Sequence, residues 1–263
     1  MDGATPNTTV TDFTRTHTSG RGSYIADVLN GLRASRTDLR DQSCPGTLLT
    51  VDECVDVLAS GSAIEAVQYF ERVLRRGITV DTVFEVYLPR IAADLGTAWD
   101  DDRISFVDLA LCFSTLQIVM HSFRDRYVGK LQPPGRGRMV IAALEGEPHL
   151  FGPIWMSARL ERAGFTTLTL GGATPRKLAE AAGGGQFDCI GISCGMATAH
   201  AELDAAITAI RQSSTTAIAV GGAITGHPEA RHLRERVDLW GPDWNELQDF
   251  LEKRAAFQLQ NVN

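Results

Sequence analysis

Three short segments contain residues whose types and positions could do chemistry. Glu147 and His149 follow one apolar run, Ser193 ends another, and Gly221-Gly222 follows a third. In a parallel α/β sheet, ligands bind beyond the carboxyl ends of the strands, so we expect the three segments to meet at one edge. An imidazole at that edge is a good ligand for a transition metal. The sequence predicts a ligand site with His149 as its metal-capable group; the alternative is a polar surface histidine in a loop.

The second of these segments allows another interpretation. Gly191-Ile192-Ser193-Cys194-Gly195 fits the G-x-S-x-G string of a serine hydrolase, which needs an acid and a histidine later in the chain. His200, His227 and His232 follow, but no acid between them is clearly placed at a strand end. The first strand is not followed by the dinucleotide motif G-x-G-x-x-G, and there is no P-loop. The hydrolase remains an alternative.

Alternating apolar runs and helical segments position these residues over 138–258. Five such units predict a five-stranded parallel sheet with helices on both faces, and the apolar runs predict strands buried on both sides. The predicted strands are Met139–Leu144, Thr166–Leu170, Cys189–Ser193, Ala217–Val220 and Asp238–Trp240; the predicted helices are Ile154–Ala163, Arg176–Ala182, Ala201–Arg211, Glu229–Val237 and Trp244–Ala255.

Residues 46–130 have helical periodicity and predict a small four-helix domain. Ser62-x-x-Glu65 and Ser105-x-x-Asp108 are typical of helix starts, and Gly77 of a helix end. The Pro- and Gly-rich segment 132–137 predicts a linker to the sheet domain.

The first 45 residues predict a tail. Residues 1–22 are rich in Thr, Ser, Gly and Asp, which indicates disorder. A short amphipathic helix is predicted from about Tyr24 to Ser35, with its apolar side formed by Ile25, Val28, Leu29 and Leu32.

Composition excludes some classes of function. The 263 residues carry 25 Lys+Arg against 32 Asp+Glu, a net charge of −7, without a basic block that would bind nucleic acid. No run of 18 apolar residues occurs, so we expect no membrane span, and from the polar first residues we expect no secretion signal. The five cysteines are scattered, which favours a reducing cytoplasm over a disulfide framework or a zinc site.

Taken together, the three segments resemble the cobalamin-binding signature D-x-H-x-x-G, S-x-L and G-G. They are Glu147-x-His149-x-x-Gly152, Ser193-Cys194-Gly195 and Gly221-Gly222. The resemblance implies a flavodoxin-like (Rossmann-type) five-stranded cobalamin-binding domain over 138–258, with adenosylcobalamin or hydroxocobalamin as cofactor. The sequence departs from the signature in having Glu147 for Asp and Gly195 for Leu.

The same resemblance implies a role for each residue. His149 would be the metal ligand, coordinating cobalt from below in place of the dimethylbenzimidazole base. Glu147 would hydrogen-bond the other ring nitrogen, which fixes the tautomer; Glu145 could compete for this role. Ser193 would bond the buried base of the nucleotide tail. Glycines, which lack Cβ, would let the tail lie against the backbone; they are Gly152, Gly195, Gly221 and Gly222.

The segment Tyr87–Ser105 resembles the helical cap that precedes the cobalamin domain in methionine synthase and in light-sensing cobalamin regulators. This resemblance implies that Trp99 lies over the upper face of the corrin. The DNA-binding photoreceptors of that group carry Glu-His where this chain has Leu109-Ala110. An upper histidine ligand is therefore not expected at that place.

A cap followed by a cobalamin domain can belong to an enzyme, a methyl carrier or a sensor. A mutase or methionine synthase would need a substrate barrel of about 250 residues, for which we expect no room. Residues 1–45 are too short for a helix-turn-helix domain.

The arrangement resembles the AerR/PpaA family of photosynthetic bacteria. This resemblance implies a cytoplasmic, light-responsive cobalamin sensor that is not an enzyme. Such a sensor acts as an antirepressor by binding a PpsR/CrtJ-type repressor of photosynthesis genes, with DNA contact only weak or indirect. A corrinoid methyl carrier and a haem-type or redox sensor remain as alternatives.

Overall fold

The computed structural model describes residues 55–60, 62–129, 136–147, 150–195 and 199–261, without the side chains of residues 60, 100 and 257–261. The predicted tail at 1–45 and the start of the predicted helical domain lie outside the described residues. Most of the predicted linker at 132–137 lies outside them too.

The described chain begins with helices. A π-helical turn, Asp56–Ser60, precedes α1 (Ala63–Arg75), α2 (Leu88–Asp100) and α3 (Phe106–Val128). Ser62 and Ser105 each accept a hydrogen bond from the third helical residue, whose carboxylate reaches back, so both predicted capping boxes are confirmed. Helix α2 continues a short turn, Val80–Thr82, and a π-helical turn, Val83–Tyr87. The π-helical turn ends two residues before Pro89. Because a proline ring clashes with the backbone carbonyl four residues earlier, a regular α-helix is disfavoured at this place.

Helix α3 is the most apolar of these helices. By length and composition alone it could cross a membrane, with a mean hydropathy of 1.5 over its most apolar part. Eight of its residues are buried, however, and seven of them belong to the apolar core shared with α1 and α2. Packing against α1 and α2 thus accounts for the buried side of α3, which is the one helix of the described chain long and apolar enough to cross a membrane.

Five parallel strands form one sheet in the order β2-β1-β3-β4-β5. The strands are β1 (Arg138–Leu144), β2 (Thr166–Ala173), β3 (Cys189–Ser193), β4 (Ala217–Gly221) and β5 (Leu239–Trp240). This is the flavodoxin-like order, so the predicted fold class of the sheet is confirmed.

Helices cover both faces of the sheet, as predicted. One face packs against α4 (Phe151–Arg162) and α7 (Trp244–Asn261), and the other against α5 (Pro175–Gly183) and α6 (His200–Ser213). Side chains of β1 alternate between the two cores: Met139 and Ile141 point to one, Val140 and Ala142 to the other. This alternation follows from the two-residue period of a strand and explains the wholly apolar run.

Two local predictions are wrong. Strand β2 is not buried on both sides, because it lies at the edge of the sheet and only Ala173 among its residues is buried. The crossover predicted as an α-helix at Glu229–Val237 is a 3₁₀-helix, Pro228–Arg236. Its buried residues, Ala230 and Leu233, are three apart, which matches the three-residue turn of that helix.

The helical part packs on α4. Trp155 Nε1 donates to the backbone oxygen of Phe84 over 2.8 Å. Arg159 lies between the rings of Trp155 and Trp244 and forms an ion pair with Glu85 at 2.9 Å. One apolar core therefore joins the helices to α4, which starts just beyond the carboxyl end of β1.

Candidate functional site

The carboxyl ends of β1, β3 and β4 lie side by side. The register pairs Ala143 with Ser193, and Ser193 with Gly221. From β1 the chain goes first to β2 on one side and then to β3 on the other, which makes the β1–β3 edge a topological switch point. Ligands bind at such points in open α/β sheets. The structure thus brings Ser193 and Gly221 together where the sequence predicts a site.

Glu147 joins the loop after β1 to the loop after β3. Its Oε2 accepts a hydrogen bond from the backbone amide of Gly195 at 2.7 Å, and the residue is 7% exposed. A turn at Gly146, with φ of 81°, directs the chain there, and the amide of Glu147 donates to the oxygen of Leu144. Glu147 therefore holds the described end of the loop after β1 against the described end of the loop after β3.

Gly152, in the first turn of α4, approaches Ser193. A Cβ built on Gly152 would lie 3.8 Å from Ser193 Oγ. A side chain larger than methyl at position 152 would therefore extend over the serine hydroxyl. Gly152 of the first segment and Ser193 of the second are therefore close in space, as expected for two parts of one site.

The backbone of Cys194 holds the third segment in place. Its amide donates to the oxygen of Gly221 at 3.0 Å, and its carbonyl accepts from the amide of Ile224 at 3.2 Å. Gly222 has a φ of 94°, and a Cβ there would lie 2.4 Å from the oxygen of Cys194. Sequence reasoning missed Cys194, because it acts through backbone atoms that its side-chain type does not reveal.

Gly221 differs from Gly222 in what surrounds it. A Cβ added at Gly221 would meet no atom of the described residues within 4 Å, although Gly221 lies in the sheet beside Ser193. The end of β4 therefore leaves room that an ordinary side chain would occupy.

The helices approach the same edge of the sheet through aromatic side chains. Phe113 of α3 contacts Phe151, the first residue of α4, edge to face with ring centres 6.1 Å apart. Trp99 is partly buried against the apolar cluster that includes Phe151. The contact between Phe113 and Phe151 was not predicted; an aromatic residue two positions beyond His149 was its only sequence signal.

His149 lies outside the described residues, and its role as metal ligand stays a prediction. Within the described residues, no group of three or more His, Cys, Asp or Glu side chains could hold a metal ion.

The serine hydrolase alternative is not favoured by the backbone at Ser193. A nucleophile elbow places its serine on a sharp, strained turn between strand and helix. Ser193 instead lies within β3, in register with both neighbouring strands. Among the described residues other than glycine, only Asp102 has a left-handed φ.

Sequence comparison gives one distant relative of note. No known family profile matches the chain. A Rhodobacter capsulatus protein described as an uncharacterized 20.5 kDa protein in the bchF-crtJ intergenic region is 25% identical over 166 residues. The match covers 62% of this chain and 86% of that protein.

Structure comparison gives a closer likeness in fold. The monomethylamine corrinoid protein of Methanosarcina barkeri aligns with a TM-score of 0.60 and 15% identity, over 80% of this chain and 95% of that one. A cobalamin-binding protein of Desulfitobacterium hafniense DCB-2 aligns over 78% of this chain and 98% of that one, at 14% identity and a TM-score of 0.38, too low to bear on the fold. The chain has a five-stranded parallel α/β fold similar to that of the Methanosarcina corrinoid protein.

Proposed function

We propose that the chain binds a cobalamin at the carboxyl edge of β1, β3 and β4 and acts as a regulator rather than as an enzyme. The observation that supports binding most directly is that a Cβ at Gly221, beside Ser193 in the sheet, would meet no described atom within 4 Å. Ser193 lies at the switch point of a sheet that resembles that of a corrinoid protein. A site there needs only one metal ligand from the protein, because the corrin ring supplies four.

Each residue of the site has a task in this proposal. His149 would hold the cobalt, and Glu147, fixed by the Gly195 amide, would accept from the second imidazole nitrogen. Ser193 would hydrogen-bond the base of the nucleotide tail, while Gly152 and Gly221 keep the space for that tail free. When bound, adenosylcobalamin would supply a cobalt–carbon bond that light can break.

A regulatory role is supported by the distant relative. That protein is described by its place between bchF and crtJ, and a CrtJ-type repressor is the partner that the sequence resemblance implies. We therefore propose that the partner is a PpsR/CrtJ-type repressor of photosynthesis genes and that the protein works in the cytoplasm as a light-responsive antirepressor.

The proposed response is a shift between two conformations. Loss of a bulky upper ligand would change the space at Trp99, which lies close to the end of α2. The contacts of Trp155 and Arg159 hold α4 to the π-helical turn that precedes α2. The change would therefore act on the region around Trp99 and the turn at 101–105 that follows it.

The experiment is repressor binding by the protein loaded with adenosylcobalamin, measured in the dark and after illumination. We expect the affinity to differ between the two conditions, and the difference to be lost in Trp99→Ala. Leu168→Ala, an exposed change on the edge strand, is the matched control and should keep the response. An unchanged response in Trp99→Ala would refute the role of Trp99, and no repressor binding in either condition would refute the antirepressor role.

A corrinoid methyl carrier is the second candidate. The structure that aligns with a TM-score of 0.60 is named a monomethylamine corrinoid protein, and monomethylamine contains a methyl group. The protein loaded with cob(I)alamin would then accept a methyl group from a corrinoid methyltransferase at a catalytic rate. Methyl transfer would favour the carrier. Its absence together with light-dependent repressor binding would favour the regulator.

A further inference from the structure

Helix α3 carries an apolar strip that the described residues leave uncovered. Val107, Leu111 and Ile118 are 64%, 47% and 45% exposed. They are four and seven residues apart, so they lie on one side of the helix. We call these three residues the α3 strip. An exposed set of large aliphatic side chains on one helix side is typical of a surface that packs against another element.

The α3 strip is separate from the candidate site. Phe113 points from α3 toward Phe151 at the site, and Arg126 points toward Glu71 of α1, with which it forms an ion pair. At 100° per residue, the strip lies between these two directions on the side of α3 opposite its buried residues. A ligand at the carboxyl edge of the sheet would therefore leave the strip exposed.

We propose that residues 24–35 of the same chain cover the α3 strip. The described chain begins at Val55, and the π-helical turn Asp56–Ser60 that follows packs against α3. The preceding residues therefore reach the rest of the protein at α3 itself. Residues 36–54 can extend over about 60 Å, whereas α3 is about 35 Å long, so the whole strip is within reach.

The sequence of residues 24–35 has the pattern expected of a helix that covers an apolar surface. Ile25, Val28, Leu29 and Leu32 recur at helical spacing and would form one apolar side. This side is about 10 Å long, against about 16 Å for the strip from Val107 to Ile118. An amphipathic helix of this length is marginal alone in water and needs an apolar partner surface.

A tethered segment fits the strip better than a second copy of the chain does. Three aliphatic side chains are a small area compared with the roughly 800 Å² per partner of a stable protein interface. A segment of the same chain is present at a millimolar effective concentration, so a small contact is sufficient. The inference does not depend on the proposed cofactor or partner.

Disulfide cross-linking tests the contact in the full-length protein. Leu29→Cys is combined with Leu111→Cys in a background of Cys44→Ser and Cys54→Ser; the remaining cysteines, 112, 189 and 194, are buried. Asp27→Cys with Leu111→Cys is the matched control, because Asp27 lies about 200° around the predicted helix from Leu29. We expect the first pair to form an intramolecular disulfide at least fivefold faster than the control pair.

Three results of this experiment would overturn the proposal: no cross-link, equal rates for the two pairs, or a cross-linked dimer. The dimer would assign the strip to a second copy of the chain.

A truncation gives a second readout that does not depend on cysteines. Removal of residues 1–45 should raise the binding of a hydrophobic fluorescent dye several-fold, with a loss of helix content no larger than residues 24–35 account for. Leu111→Asp in the truncated protein should reverse most of that rise. Dye binding that is the same with and without residues 1–45 would contradict the proposal.

Discussion

Gly222 is the residue of the candidate site where the backbone conformation most strongly requires glycine. Its φ of 94° and ψ of −176° lie in a region that is essentially restricted to glycine. A Cβ at this position would also lie 2.4 Å from the oxygen and 2.9 Å from the carbon of Cys194. Both atoms belong to the backbone, which hydrogen-bonds to Gly221 and Ile224 and cannot move away without breaking those bonds.

The substitution Gly222→Ala should therefore destabilise the protein strongly. Backbone strain of this kind costs about 1–3 kcal/mol, and displacement of the carbonyl adds to it, so we expect a loss of about 3 kcal/mol in the free energy of unfolding. For a protein of this size that corresponds to a fall in Tm of about 6–12 °C. Thermal unfolding followed by circular dichroism measures it.

Gly221→Ala is the matched control. Its Cβ would meet no atom of the structurally described part of the chain within 4 Å, and its φ is not left-handed, so we expect Tm to stay within about 2 °C of the wild type. The same methyl group would occupy the room proposed for the nucleotide tail, and we expect cobalamin binding to weaken about tenfold, or about 1.4 kcal/mol. Equal Tm values for Gly222→Ala and the wild type would contradict the expected strain at position 222, and a large fall in Tm for Gly221→Ala would contradict the expected tolerance at position 221.

Three further predictions concern stability. Glu147→Ala leaves the buried amide of Gly195 without its acceptor and should lower the free energy of unfolding in urea by about 1–3 kcal/mol. Glu147→Gln keeps an acceptor and should lower it less. Equal losses for the two variants would contradict this prediction. Trp155→Phe removes the hydrogen bond from α4 to the helical part and should cost about 1 kcal/mol in the same assay; no loss would mean that the bond contributes nothing. Burial raises the pKa of Cys189 from 9 to about 12 and that of Cys112 to about 11. Because the folded protein holds these protons more tightly than the unfolded chain, stability should be full below pH 9 and fall as pH rises toward 11–12, by at most about 1.4 kcal/mol per unit for each thiol. Cys189→Ala should make this decline shallower, and an unchanged slope would count against it.

The sheet and its helix caps were predictable because short-range patterns determine them. The runs at 139–144, 189–193 and 217–220 are apolar on both sides, and the structure places them as the three central strands. The exposed strand β2 shows the limit of that pattern. Its position at the edge depends on strand order, which the threonine and leucine residues at 166–170 do not encode.

The candidate site was predictable in composition but not in its connections. The spacing of Glu147, Ser193 and Gly221 placed all three at one edge of the sheet, which the register confirms for Ser193 and Gly221. The hydrogen bond from the Gly195 amide to Glu147 joins residues 48 positions apart and involves a backbone donor. A backbone donor has no residue-type signal, so such a contact becomes visible only in three dimensions.

The role that we propose for His149 is coordination of cobalt. Its most direct test is the absorption spectrum after mixing with adenosyl- or hydroxocobalamin in the dark and desalting, for the wild type and His149→Ala. We predict that the wild type retains the corrinoid with the dimethylbenzimidazole base displaced, that its spectrum changes on illumination, and that the variant loses or alters this signal. A wild-type protein that retains neither cobalamin, or a variant with an identical spectrum, would contradict the claim.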